Sequence, residues 1–140
     1  MKIYTSYFSN AKRLDADGIE IIGIALYPPK WFNGFSMKML APSYSIFKFS
    51  NSQSEYISRF KSEVLSRLSP RAILEQIKQF SRGKDVALCC FEKPDEFCHR
   101  HLVAEWLNAN LGIDVEEYRR VTISDNPEYN KEIVMNDEQK

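Results

Sequence analysis

The order of apolar and polar positions divides the chain into alternating strand-like and helix-like stretches. Lys2–Phe8 is rich in Ile, Tyr, Thr and Phe and reads as a first strand. Asn10 opens a short helical turn through Leu14, which Asp15-Ala16-Asp17-Gly18 closes. Ile19–Leu26 is almost continuously apolar, with Glu20 its only charge. A strand covered on both faces and paired in parallel has that composition. Tyr27–Ser45 is a long loop: Pro28-Pro29 blocks both ladder pairing and helix, and Trp31, Phe32 and Phe35 surround Asn33-Gly34. Tyr44–Phe49 reads as a short extra strand. In Ser50–Leu68, Ser52-Gln53-Ser54-Glu55 fits a capping box, and Tyr56, Ile57, Phe60, Val64, Leu65 and Leu68 keep a helical period. Ser69-Pro70 ends that helix and starts another, with Ile73, Leu74, Ile77 and Phe80 as its buried stripe and Gly83 as its C-terminal cap.

Val86–Phe91 is a second apolar strand, broken at Glu92-Lys93-Pro94-Asp95. Helical spacing then resumes, with Val103, Trp106 and Leu107 on one face, Asp95 as the expected N-cap and Gly112 as the terminator. Ile113–Tyr118 alternates apolar and acidic residues, as an edge strand does. From Arg119 the chain turns polar. These elements predict one α/β domain over residues 1–118 and a polar, partly ordered tail over 119–140. The expected architecture has three layers, a short and mostly parallel sheet with helices on both faces, in the Rossmann-like or flavodoxin-like manner.

A length of 140 residues suits one domain with a substantial core. Lys and Arg number 19, as do Asp and Glu, so a neutral chain has no global attraction for a nucleic-acid backbone, and recognition of one would need a local basic patch. Three cysteines, two of them adjacent, make a poor disulfide framework and suggest a reducing interior. The first residues lack the apolar core and cleavage site of a signal peptide, and no apolar run approaches the roughly 20 residues of a membrane span. A cytoplasmic chain with no membrane partner is expected.

The reactive side chains concentrate between the second apolar strand and the helix after it. All three cysteines and both histidines lie between Cys89 and His101. A helix N-terminus carries unpaired N–H groups and a partial positive charge, which favour anions and thiolates. Cys98, in the first turn beside Arg100 and a histidine, is the candidate nucleophile. Glu92, just past the strand end, is the candidate general acid or base, and His99 joins them. Arg100 is suited to hold a phosphate or carboxylate in two-pronged fashion, with Glu92 or Glu96 as its alternative partner. Cys90, Lys30 and Trp31 are further ligand contacts, the last two on a long loop able to fold over the site as a lid; the plainer alternative is that its aromatics pack onto the core. Cys90, Cys98 and His99 also supply three zinc-type donors. Adjacent helical residues point about 100° apart, however, which argues against one shared ion, so neither metal nor cofactor is expected. No Walker loop, GxGxxG or cysteine-phosphatase spacing occurs.

Cys90-Phe91-Glu92, five residues, then Cys98-His99-Arg100 resembles the hallmark of domain-of-unknown-function family 488, a strand ending in Cys-x-Glu followed by Cys-His-Arg opening a helix. The resemblance extends over residues 1 to about 118. Thr5-Ser6 is similar to the family's Thr and Ser positions, which adds Ser6 to the expected ligand contacts. Ile24-Ala25-Leu26-Tyr27 stands where members commonly have Asp-x-Arg. The resemblance implies the fold more than an activity. Three readings follow from the residues. The first is a small enzyme acting on an anionic, nucleotide-like or nucleic-acid-like substrate. A non-catalytic module that binds an anionic ligand or a protein is the second, and a purely structural motif is the third.

Overall fold

In a computed structural model, residues 1–92 and 97–119 are described. Five strands form one wholly parallel sheet in the order β3-β2-β4-β1-β5. They are β1 (Ile3–Tyr7), β2 (Glu20–Gly23), β3 (Phe35–Ser36), β4 (Val86–Cys90) and β5 (Glu116–Glu117). The helices are α1 (Ala11–Ala16), α2 (Tyr44–Phe49), α3 (Gln53–Arg59), α4 (Pro70–Ser81) and α5 (His99–Leu111). The expected α/β class, parallel pairing and covered faces are therefore present.

Every residue of β4 is buried, because this strand lies between β2 and β1 and both sheet faces are covered. Alternation sorts its side chains. Val86 and Leu88 join Ile3, Ile22 and Ile24 in the larger core under α4 and α5, where Ile73, Ile77, Val103 and Leu107 meet them. Ala87 and Cys89 join Leu14 of α1, Phe8 and Ile19 in the smaller core on the other face. The third layer is thus thin, made by one short helix and the aromatics of the loop after β2. Phe32 packs on Phe8 and Phe35 stacks on Phe80. Gly23 permits this close packing: a Cβ there would lie 2.9 Å from Ser36 Oγ and 3.0 Å from the Phe32 ring.

Three local expectations are corrected. Tyr44–Phe49 is helix α2, not a strand; the Ser43 hydroxyl accepts the Ile46 N–H and starts the turn. The stretch expected as one helix over 50–68 is α3 followed by a π-turn at Phe60–Val64 and a 3-10 turn at Leu65–Arg67. Its cap is as expected, with Glu55 N–H on Ser52 Oγ, but the Glu55 carboxylate accepts from Asn51 N rather than Ser52 N. The loop after β2 holds a strand, β3, that its Gly-, Pro- and Asn-containing flanks obscured. Both termini of α4 are as expected, with Ser69 accepting from Ala72 N and Arg82-Gly83 turning left-handed. Asp95, Glu96 and the tail from 120 onward lie outside the described residues. No helix among the described residues is long and apolar enough to cross a membrane.

Candidate functional site

The parallel strands deliver Tyr7, Gly23 and Cys90 to one edge of the sheet, the carboxyl edge where ligands of open α/β sheets collect. A cavity of about 360 Å³ opens there. Its wall is aromatic, from Tyr27, Phe47, Tyr56, Phe91 and Phe97, while Cys90, Cys98 and His99 line its chemical corner. Glu92 also lines it and is exposed. Tyr27 meets Phe47 edge to face, and Tyr56 meets Phe97 in the same way, so two edge-to-face pairs form much of the wall.

Cys98 is not in the first helical turn. It is the N-cap residue of α5, in extended conformation at φ −156° and ψ 143°. That backbone swings its sulfur back towards the strand end, where it is bonded to Cys90 in a disulfide with Cα atoms 7.6 Å apart. The expectation of a poor disulfide framework is corrected accordingly: an eight-residue separation in sequence closes across the strand-to-helix break, leaving Cys89 as the free thiol. Burial pushes the Cys89 thiol well up from its ordinary range, with Arg100 opposing weakly.

The extended N-cap also removes the argument against a shared ion. Cys98 Sγ lies 3.9 Å from His99 Nδ1, and the donor atoms of Cys90, Cys98 and His99 all fall within 4.8 Å of one another. The splay of adjacent helical residues does not apply, because Cys98 is not helical. His99 is buried between Phe60 and the strand end, and its Nε2 stands 2.6 Å from the Ile24 carbonyl oxygen. That oxygen can only accept, so Nε2 carries the proton and donates to it. Desolvation lowers the ring's pKa to about 4; the Ile24 carbonyl opposes this, while Arg100 and His101 add to it. The imidazole is therefore neutral near pH 7, with its free lone pair on Nδ1 facing Cys98.

Arg100 is engaged by protein partners. Its side chain is 0% exposed and grips Glu117 of β5 with two nitrogens, Nε to Oε1 at 3.0 Å and Nη2 to Oε2 at 3.1 Å. The partner expected was Glu92 or Glu96. Strand pairing at the sheet edge brings Glu117 instead, where Thr5 Oγ1 also donates to it at 2.7 Å. The remaining nitrogen, Nη1, donates to Cys90 Sγ at 3.2 Å. Arg100 thus reaches the corner of the cavity through its contact with Cys90.

The other expected ligand contacts are not brought to the cavity. Ser6 is fully buried in β1 and accepts from Asn10 Nδ2. Lys30 and Trp31 are exposed and absent from the lining, Trp31 lying edge-on to Phe8 and Phe32. From the loop it is Leu26, Tyr27 and Pro42 that reach the wall. Sequence reasoning missed Tyr56 as a lining residue because it reads as part of a buried helical stripe. Burial and the nearby Glu92 charge hold the Tyr56 hydroxyl protonated by raising its pKa. His101 is half-buried with Nδ1 4.0 Å from Glu117.

No curated protein and no solved structure gave a significant match to the chain. A family model described as DUF488-N3a, the active DUF488-N3 subclade, matches residues 3–111, which span β1 to the end of α5 and include the whole Cys-x-Glu and Cys-His-Arg region. The chain belongs to the DUF488 family.

Proposed function

We propose that the chain is a small enzyme acting on a nucleotide-like substrate, with a flat heterocycle seated among the rings of the cavity and its reacting end at the Cys90–Cys98–His99 corner. The observation that carries this reading is the cavity itself, in which an aromatic wall ends in two sulfurs and a neutral imidazole. Stacking on Tyr27, Phe47, Tyr56 or Phe97 suits any base, since each presents a π-face. Arg100 is neutralised by Glu117, so attraction for a phosphate comes from the N-terminal amides of α5, which begins at His99. Glu92, exposed on the lining, is the group placed to exchange protons with solvent and substrate. Membership of a subclade described as active agrees with catalysis.

The disulfide favours a second reading, a non-catalytic module that binds the same ligand while oxidised, because a sulfur bonded to sulfur is not a nucleophile. Calorimetric titration of the oxidised and of the reduced chain with nucleosides and nucleotides, followed by mass spectrometry of the mixtures, tests both. Binding weakened at least tenfold by Phe47→Ala, with turnover lost in Cys98→Ser at retained affinity, supports the enzyme. Binding with no turnover in the parent chain supports the module. Absence of binding by any nucleoside or nucleotide refutes both.

A further inference from the structure

We infer that the reduced chain binds one zinc-class divalent cation through Cys90 Sγ, Cys98 Sγ and His99 Nδ1, with the fourth coordination position open to the cavity. The inference deepens the proposed function and rests on it for the choice of this corner as the reacting end. Ion binding itself stands on separate observations.

The first is distance. A tetrahedral ion with metal–sulfur bonds of about 2.3 Å and a metal–nitrogen bond of about 2.0 Å holds its donors roughly 3.5 Å apart. Cys98 Sγ and His99 Nδ1 are already 3.9 Å apart and all three donors lie within 4.8 Å, and the two sulfurs, bonded to each other in the oxidised chain, part on reduction to admit the ion. Cα atoms 7.6 Å apart lie beyond the roughly 4.4–6.8 Å that disulfides usually bridge, and the wider spacing leaves room for an ion between the two thiolates.

The second is the tautomer. A metal-binding histidine almost always donates its other ring N–H to a carbonyl or carboxylate, which fixes the ring and raises its basicity. His99 meets that condition through Ile24, at 2.6 Å, and presents an unprotonated Nδ1 to the two sulfurs.

The third is charge. Arg100 and Glu117 cancel one another, so a complex in which two buried sulfurs give up their protons to an ion takes its two balancing positive charges from the ion itself. A dication supplies them. Arg100 Nη1 on Cys90 Sγ then serves as the outer hydrogen bond that thiolate ligands commonly receive. Three protein ligands with the remaining position facing a cavity is the arrangement of catalytic rather than structural zinc, with water or substrate taking that position. Oxidation reverses the binding in a balanced step. Hydrogen peroxide takes two electrons from the two thiolates, the Cys90–Cys98 bond forms, the O–O bond breaks to give two hydroxides, and the ion is released.

The full chain, purified in a reductant and dialysed against trace zinc, is expected to retain about one zinc per chain by plasma mass spectrometry. Cobalt added to the reduced apo-chain should give the thiolate charge-transfer and tetrahedral d–d bands. Cys90→Ser and Cys98→Ser should each lose the charge-transfer intensity, and Cys89→Ser should keep it. Should a serine variant misfold, protection decides with the parent chain alone: zinc is expected to slow alkylation of Cys90 and Cys98 at least tenfold. A reduced chain that takes up neither zinc nor cobalt, an unaltered cobalt spectrum in a folded Cys98→Ser, or equal alkylation with and without zinc overturns the inference. A reduced chain that takes up no metal yet turns over a nucleotide overturns it while leaving the proposed function standing. One bound zinc with no nucleoside or nucleotide binding upholds the site and removes the substrate.

Discussion

Glu117 neutralises Arg100 across the edge of the sheet, two carboxylate oxygens meeting two guanidinium nitrogens in an environment from which Arg100 is wholly excluded from solvent. The pair is of long range in sequence, and it leaves one nitrogen for Cys90.

Removing one member of such a buried pair strands the other charge. Glu117→Gln is expected to destabilise the chain by about 3–5 kcal/mol, read as a lower urea midpoint at unchanged slope. Replacing both residues with methionine should recover most of that loss, because burying an ion pair and burying apolar groups of similar size come out nearly equal. A double variant as unstable as the single one would show that Thr5 and Cys90, not the charge, set the cost.

The position of Glu117 depends in turn on Asn108, whose side chain donates to Val115 O and accepts from Val115 N at 3.0 and 2.7 Å. Asn108→Ala leaves both backbone groups without that partner and should cost about 1–3 kcal/mol. Hydrogen exchange at Tyr118 N, which donates to Thr5 O, is expected to accelerate by at least tenfold. Unchanged exchange would mean that β5 is held by its pairing with β1 alone.

His99→Phe keeps a ring beside Phe60 and leaves the Ile24 carbonyl without its donor. In the metal-free chain the expected loss is about 1–3 kcal/mol, visible as a lower melting temperature. A variant as stable as the parent would assign the histidine to chemistry alone.

Cys89 faces the smaller core, and burial keeps its thiol protonated. With the disulfide reduced and metal absent, native alkylation followed by mass spectrometry should leave Cys89 unlabelled, and denaturation should add its label. Fast labelling of Cys89 in the folded chain would contradict its burial.

Much of this fold was legible because its elements repeat simple periods. β4 is apolar on both faces, as a strand of a covered parallel sheet is, and α4 carries its stripe and both caps within Ser69–Gly83. The motif region was legible for a different reason, the density of reactive side chains from Cys89 to His101. What was not legible depends on contacts made only after folding. Arg100 finds Glu117 through a two-residue strand pairing, which spacing along the chain does not encode. Cys98 left the expected helix by one position, and that single step reverses where its sulfur points. Tyr44–Phe49 has the aromatic composition of a strand, and Ser43, which caps it as a helix, follows a proline and reads equally well as loop.

The family match ends at Leu111, yet the carboxylate that balances the guanidinium arrives six positions later. Synthesis on a ribosome therefore completes the motif before it completes the charge, and a nascent or trimmed chain ending at 111 would hold every hallmark residue around an uncompensated cation. Minimal fragments cut to the matched boundaries should aggregate or stay open, and extending them through Tyr118 is the shortest repair.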